Sequence, residues 1–303
     1  VKIRLLSKQT LLLQQEEYNM INVFKTIIAL ILLNILTSYK VFSVTAESVK
    51  ACDTGTHLFT GSATACRFTP QLYKASVFEM GLCTANPMSG ASLDKSTCTT
   101  VFVATDQTNG SLHDFALGNA ELAGTSTRPA NGTYTFPYII LKNDFTIKGE
   151  FAHEGGSTYY IKNDGGGGAC GSANTTSPAQ ECTTSLTQFN QAGNCDGEYL
   201  GAIFQGGTLN GYLMRSSDLD KRDGLADDNG SGACSGVDRL VGVMELDAPV
   251  IVTPSTISVK FTFNVTGYGA QLFSAAGNPT NSTGGGGSGP FSGFFTVTDA
   301  PQQ

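Results

Sequence analysis

The segment "TISVKFTFNVTGY" alternates more strictly than any other in the chain. Ile257, Val259, Phe261, Phe263 and Val265 fall on one face, and Thr256, Ser258, Lys260, Thr262, Asn264 and Thr266 on the other. Side chains point to opposite faces along a strand, so this pattern predicts a half-buried antiparallel strand with its apolar row turned inward. "DFTIKGEF" repeats the alternation, with Phe145, Ile147 and Phe151 inward and Thr146, Lys148 and Glu150 outward. In "GTYTFPYIILK" the alternating residues are Tyr134, Phe136, Tyr138 and Ile140, and Pro137 predicts an edge strand or a bulge because it lacks a ladder donor. Shorter runs such as "YKASVFEMGLC", "TTVFVAT", "YLGAIFQ", "RLVGVMEL" and "GFFTVTD" add further strands. No stretch holds a helical period over three turns; "HDFALGNAELAG" predicts one short turn of helix.

Short strands separated by Gly, Asn, Asp and Ser predict an all-β protein, an antiparallel β-sandwich. The exported part, residues 47–303, reads as one domain with two insertions. One is the glycine-rich, cysteine-bearing stretch 163–196. The other is 275–290, "AAGNPTNSTGGGGSGP". Both are expected to lie outside the core, since they carry too little apolar surface to bury.

The first methionine is Met20, and from it "MINVFKTIIALILLNILTSYKVFSVTAES" has the organisation of a secretory signal peptide. Lys25 precedes an apolar run from Ile27 to Leu36, and Val44-Thr45-Ala46 offers the small residue that signal peptidase prefers. A run this short predicts a signal helix rather than a spanning one, with cleavage near Ala46 and membrane contact only through the signal segment. All eight cysteines follow it: Cys52, Cys66, Cys83, Cys98, Cys170, Cys182, Cys195 and Cys234. An even number confined to the exported part predicts disulfides in a secreted, periplasmic or cell-surface protein. Neighbours in sequence give the simplest pairing: 52 with 66, 83 with 98, 170 with 182, and 195 with 234. Residues 1–46 hold five basic and two acidic side chains, so the exported part carries 13 basic against 23 acidic ones. That balance argues against nucleic acid or anionic membranes as partners.

The stretches "CRFTPQLYKASVFEMGLCT", "GTYTFPYIILKNDFTIKGEF" and "TISVKFTFNV" resemble a loose group of secreted bacterial proteins of uncharacterised function. In that group a cysteine-flanked strand with a Thr-Pro-x-x-Tyr start precedes a Gly-Thr-Tyr-Thr strand, and a late strand closes the sandwich. The resemblance covers half of the exported chain and implies an exported β-sandwich, with no active-site residue assigned. The insertion 163–196 falls outside the pattern.

Candidate chemistry is sparse. There is no G-x-S-x-G and no H-E-x-x-H, and the three histidines are His57, His113 and His153. His153-Glu154, just after a strand, reads as an exposed turn. Dispersed carboxylates for glycoside hydrolysis have no sequence signature, because such a pair is defined in space. The one concentrated feature is "RSSDLDKRDGLADDNGSGAC", with Asp218, Asp220, Asp223, Asp227 and Asp228. Calcium takes six to eight oxygens from alternating acids with a glycine at the sharp turn. Here Arg222 stands where a third acid belongs, and the next acid and glycine come one residue late. A solvated hairpin tip is the favoured reading, and calcium the alternative. No other cofactor is implied. The expected function is therefore a non-enzymatic surface protein, structural or adhesive, that self-associates or holds cell-surface components. A glycan- or small-ligand-binding module is the alternative, and a secreted hydrolase the third reading.

Overall fold

Two long strands, Leu72–Cys83 and Phe136–Lys148, run antiparallel at the centre of the fold. Each serves two neighbours in turn. The first half of Phe136–Lys148 pairs with Arg239–Leu246 and its second half with Cys182–Ser185. Along Leu72–Cys83 the first half pairs with Ser111–Asp114 and the second with Cys98–Ala104. The change of neighbour coincides with register shifts between Ala75 and Val77 and between Val77 and Glu79. A bulge adds a residue and bends the strand, so side-chain parity switches across it. Tyr73, Ala75 and Val77 face the main core at odd positions, and Met80 and Leu82 face it at even ones.

These strands belong to a nine-stranded antiparallel sheet that ends at Glu198–Phe204 on one side and Gly124–Ser126 on the other. The computed structural model describes residues 50–52, 65–118, 121–153, 157–163, 170–173, 178–189, 195–204, 206–222, 234–274, 283–289 and 291–299. They lie in one compact unit, Ala46–Gln303. The fold is an antiparallel β-sandwich, as the alternation predicts. The second layer holds a ribbon of Thr256–Asn264 paired with Ser292–Asp299, and a sheet containing Ala65–Phe68, Ala270–Ser274 and Thr283–Ser288. Aromatic rings join the layers. Phe263 stacks on Phe291 at 4.4 Å and on Phe115 at 4.1 Å, and Tyr73 and Phe145 lie against the same group. Phe115 begins a short helical turn, Phe115–Leu117, which Asp114 caps.

The opposite face of the large sheet carries a smaller core of Phe78, Cys83, Met88, Tyr138, Ile140, Tyr212, Met214, Val241 and Val243. Two loops cover it, 84–97 and 215–222. They meet at a bridge between Ser92 and Asp220, with Leu93 N–H on the Leu219 carbonyl at 3.1 Å and Lys221 N–H on that of Ala91 at 2.8 Å.

Several features differ from the sequence expectations. Pro137 lies in a central strand. Its missing donor is tolerated because the ladder to Arg239–Leu246 begins one residue later, at Tyr138. Within 163–196, Cys182–Ser185 extends the large sheet, and Cys182 and Thr184 are buried. Within 275–290, Thr283–Ser288 is a strand although it is mostly glycine. A Cβ at Gly285 would meet the Cys170 carbonyl at 2.9 Å, so backbone approaches there to a distance only glycine permits. His153 is buried beside the Tyr159 ring rather than exposed.

Candidate functional site

All eight cysteines pair as sequence neighbours: Cys52–Cys66, Cys83–Cys98, Cys170–Cys182 and Cys195–Cys234. Cys83 and Cys98 are directly opposite one another in the ladder. Four such bridges fit an oxidising extracellular or periplasmic environment. Among the described residues, no helix is long and apolar enough to cross a membrane.

The Asp-rich stretch is divided. Asp223, Asp227 and Asp228 lie outside the described residues. Asp218 accepts a hydrogen bond from the Arg222 guanidinium and another from the Asp220 N–H at 3.2 Å. Arg222 first, then that N–H, holds the Asp218 carboxyl below its usual range. Arg222 thus sits as an internal counter-ion for the first acid. Asp220 is occupied as a backbone element, since its strand bridge fastens the two loops over the smaller core. Among the described residues no group of three or more His, Cys, Asp or Glu is placed to hold a metal. His57 lies outside the described residues, and His113 packs edge-on against Phe115 at 5.1 Å.

A different place stands open. Where the ribbon diverges from the rim of the large sheet there is a cleft of about 250 Å³. Met80, Phe102, Phe261 and Phe295 form its apolar interior, Val101, Ile257 and Val259 its walls, and residues 126–129 its mouth. Val101 is the extra residue of a bulge, since Met80 pairs with Phe102 and Gly81 with Thr100. The bulge brings both Val101 and Phe102 to the cleft. Ile257, expected inside, is 66% exposed. The ladder to Ser292–Asp299 shifts between Thr256 and Ser258, so Ile257 is the extra residue of a bulge and leaves its row, while Thr256, expected outside, is buried.

The mouth is built around Arg128. Its guanidinium donates to the Thr253 carbonyl at 2.6 Å, the Pro129 carbonyl at 3.0 Å, Asn131 Oδ1 at 3.0 Å and, at 3.5 Å, the Thr256 carbonyl. These bonds tie the 128–131 loop to the turn that starts the ribbon. The buried Tyr134 anchors the same loop by donating to the Ala130 carbonyl at 2.8 Å. All four acceptors of Arg128 are neutral. The carboxylate of Asp299, at the same end, accepts instead from the Thr256 hydroxyl at 2.7 Å.

Among the described lining residues the polar side chains are the hydroxyls of Ser126, Thr127, Thr256 and Ser258 and the Arg128 guanidinium, with no carboxylate, imidazole or thiol. An apolar trough with one cation at its mouth is suited to binding. Sequence reasoning missed this site. Ile257 was visible only as one member of an alternating row, and a lone arginine in "STRPANG" carries no signal. No family model, curated protein or solved structure matches the chain.

Proposed function

We propose that this chain is an exported, non-enzymatic surface protein, a structural or adhesive component of the cell envelope or of an extracellular appendage. The observation that carries the reading is the open apolar cleft at the sandwich rim, with one cation at its mouth, an arrangement suited to holding a partner. The disulfides and the excess of acidic side chains in the exported part support work outside the cytosol. Localisation tests it. Cells are separated into cytosol, envelope and medium, the native protein is followed by antibody, and the carrying fraction is imaged by electron microscopy. Recovery with the envelope or with an appendage is the expected result. Recovery in the cytosol, or turnover of a chemical substrate by the purified oxidised protein, would overturn it.

A further inference from the structure

The cleft opens along the start of the ribbon. Thr256, Ile257, Ser258 and Val259 are consecutive, and all four line it. The bulge at Ile257, in the ladder to Ser292–Asp299, brings neighbouring side chains of both parities to the cleft. Phe291, Gly293 and Phe295 pack further in, against Pro137, Ile139 and Met244, so the other edge of Thr256–Asn264 is the one turned to the rim. That edge is unpaired: Thr256–Asn264 pairs with Ser292–Asp299 on one side and, among the described residues, with no strand on the other. Across the cleft the short strand Gly124–Ser126 pairs, among the described residues, only with Cys98–Ala104. Unpaired backbone at a strand edge is a template for another strand. Here it flanks a trough that accepts apolar side chains.

We propose that the cleft binds an extended peptide segment of another protein by strand addition along the free edge of Thr256–Asn264. Alternate apolar side chains of the peptide enter between Val101, Ile257 and Val259, and a carboxylate at one end of the peptide lies at Arg128. Main-chain hydrogen bonds supply affinity in this mode, and pockets for alternate side chains supply selectivity. The carboxylate follows from charge. The Arg128 guanidinium meets only neutral acceptors and has used four of its five N–H donors, which leaves one on Nη1. A carboxylate there gains a charge-assisted bond. The inference rests on the surface-binding reading above, but its test is separate.

The probe is a blocked, fluorescently labelled hexapeptide that alternates valine and threonine and ends in aspartate, titrated with the purified oxidised protein and followed by anisotropy. Saturable binding tighter than about 1 mM is expected. Replacing the terminal aspartate with lysine should weaken it about tenfold, the loss of one hydrogen bond to a charged group. N-methylation of the backbone on one edge of the peptide should abolish it, because strand addition needs those donors. Ile257→Lys, at an exposed position and with an unchanged melting temperature, should weaken binding at least tenfold. No saturation, binding indifferent to N-methylation, or binding unaltered in Ile257→Lys would each overturn the proposal. So would wild-type self-association that Ile257→Lys abolishes, since the occupant would then be a second copy of this chain. If the peptide fails while the protein still fractionates with the envelope, the surface reading stands and this inference falls.

Discussion

At Gly81 a methyl group would stand 2.2 Å from the Tyr138 ring. The ring lies flat over this glycine so that its hydroxyl reaches Glu79, which Lys95 holds from the other side at 2.9 and 3.0 Å. Thr100 completes the cluster at 3.2 Å. Gly81→Ala has no room without moving the ring, and overpacking of this kind costs about 1–3 kcal/mol. Urea denaturation should show that loss with an unchanged m-value. Burial first, then the bond to Glu79, pushes the Tyr138 hydroxyl well above its ordinary pKa, and burial followed by the charge of Glu198 pushes Tyr212 up to about 12. A raised phenol favours the native state fully below the unfolded value near 10. The contribution fades as pH climbs through the folded value, so stability should fall between roughly pH 10 and 12. Tyr212→Phe should make that decline shallower, measured as denaturation midpoint against pH. An unchanged slope would mean that Tyr212 does not contribute.

Among the elements, the Thr256–Asn264 strand separates what sequence shows from what it hides. Its alternation identified the strand and, beyond the bulge at Ile257, its two faces, because that period is local. The bulge that turns Ile257 out arises in the pairing with Ser292–Asp299, more than thirty positions away, and the alternation carries no mark of it. Ile257→Ser should therefore change stability by less than about 0.5 kcal/mol. Phe263→Ala, which removes a ring stacked on both Phe115 and Phe291, should cost about 3 kcal/mol. The Thr283–Ser288 strand was illegible for a related reason: glycine carries no periodicity, and only the carbonyl of Cys170 explains its use there. The disulfide pairing, by contrast, followed from proximity in sequence. The cleft was wholly hidden, being assembled from five separate segments. The loop 215–222 belongs to this scale too. Since Arg222 already neutralises Asp218, melting curves in chelator and in millimolar calcium should overlay. A calcium site filled at 100 times its dissociation constant would instead raise stability by about 2.7 kcal/mol and separate the curves by several degrees. That separation, abolished by Asp220→Ala with Asp223→Ala, would establish the ion.

For the molecule as a whole, the bridges lie inside what they stabilise. Seven of the eight cysteines belong to the buried cores, and Cys98 packs against the smaller one. A reductant must wait for the structure to open, so native reduction should be slow and should track unfolding. In the chain-entropy account the three bridges separated by 12 to 15 residues contribute about 3 kcal/mol each. The Cys195–Cys234 bridge, separated by 39, contributes about 1 kcal/mol more. Their sum is comparable with the roughly 5–15 kcal/mol that holds a whole domain folded. The sandwich is therefore expected to depend on oxidation, which ties its folding to the compartment proposed for it. Thiol labelling of the denatured, unreduced protein should be near zero. The reduced and alkylated chain should lose its near-ultraviolet circular dichroism and its cooperative melting transition. Replacing Cys195 and Cys234 together with alanine should lower stability more than replacing any other pair. If the reduced chain still melts cooperatively within a few degrees of the oxidised protein, the apolar layers suffice for the fold, and the bridges guard against opening without deciding where the chain can fold.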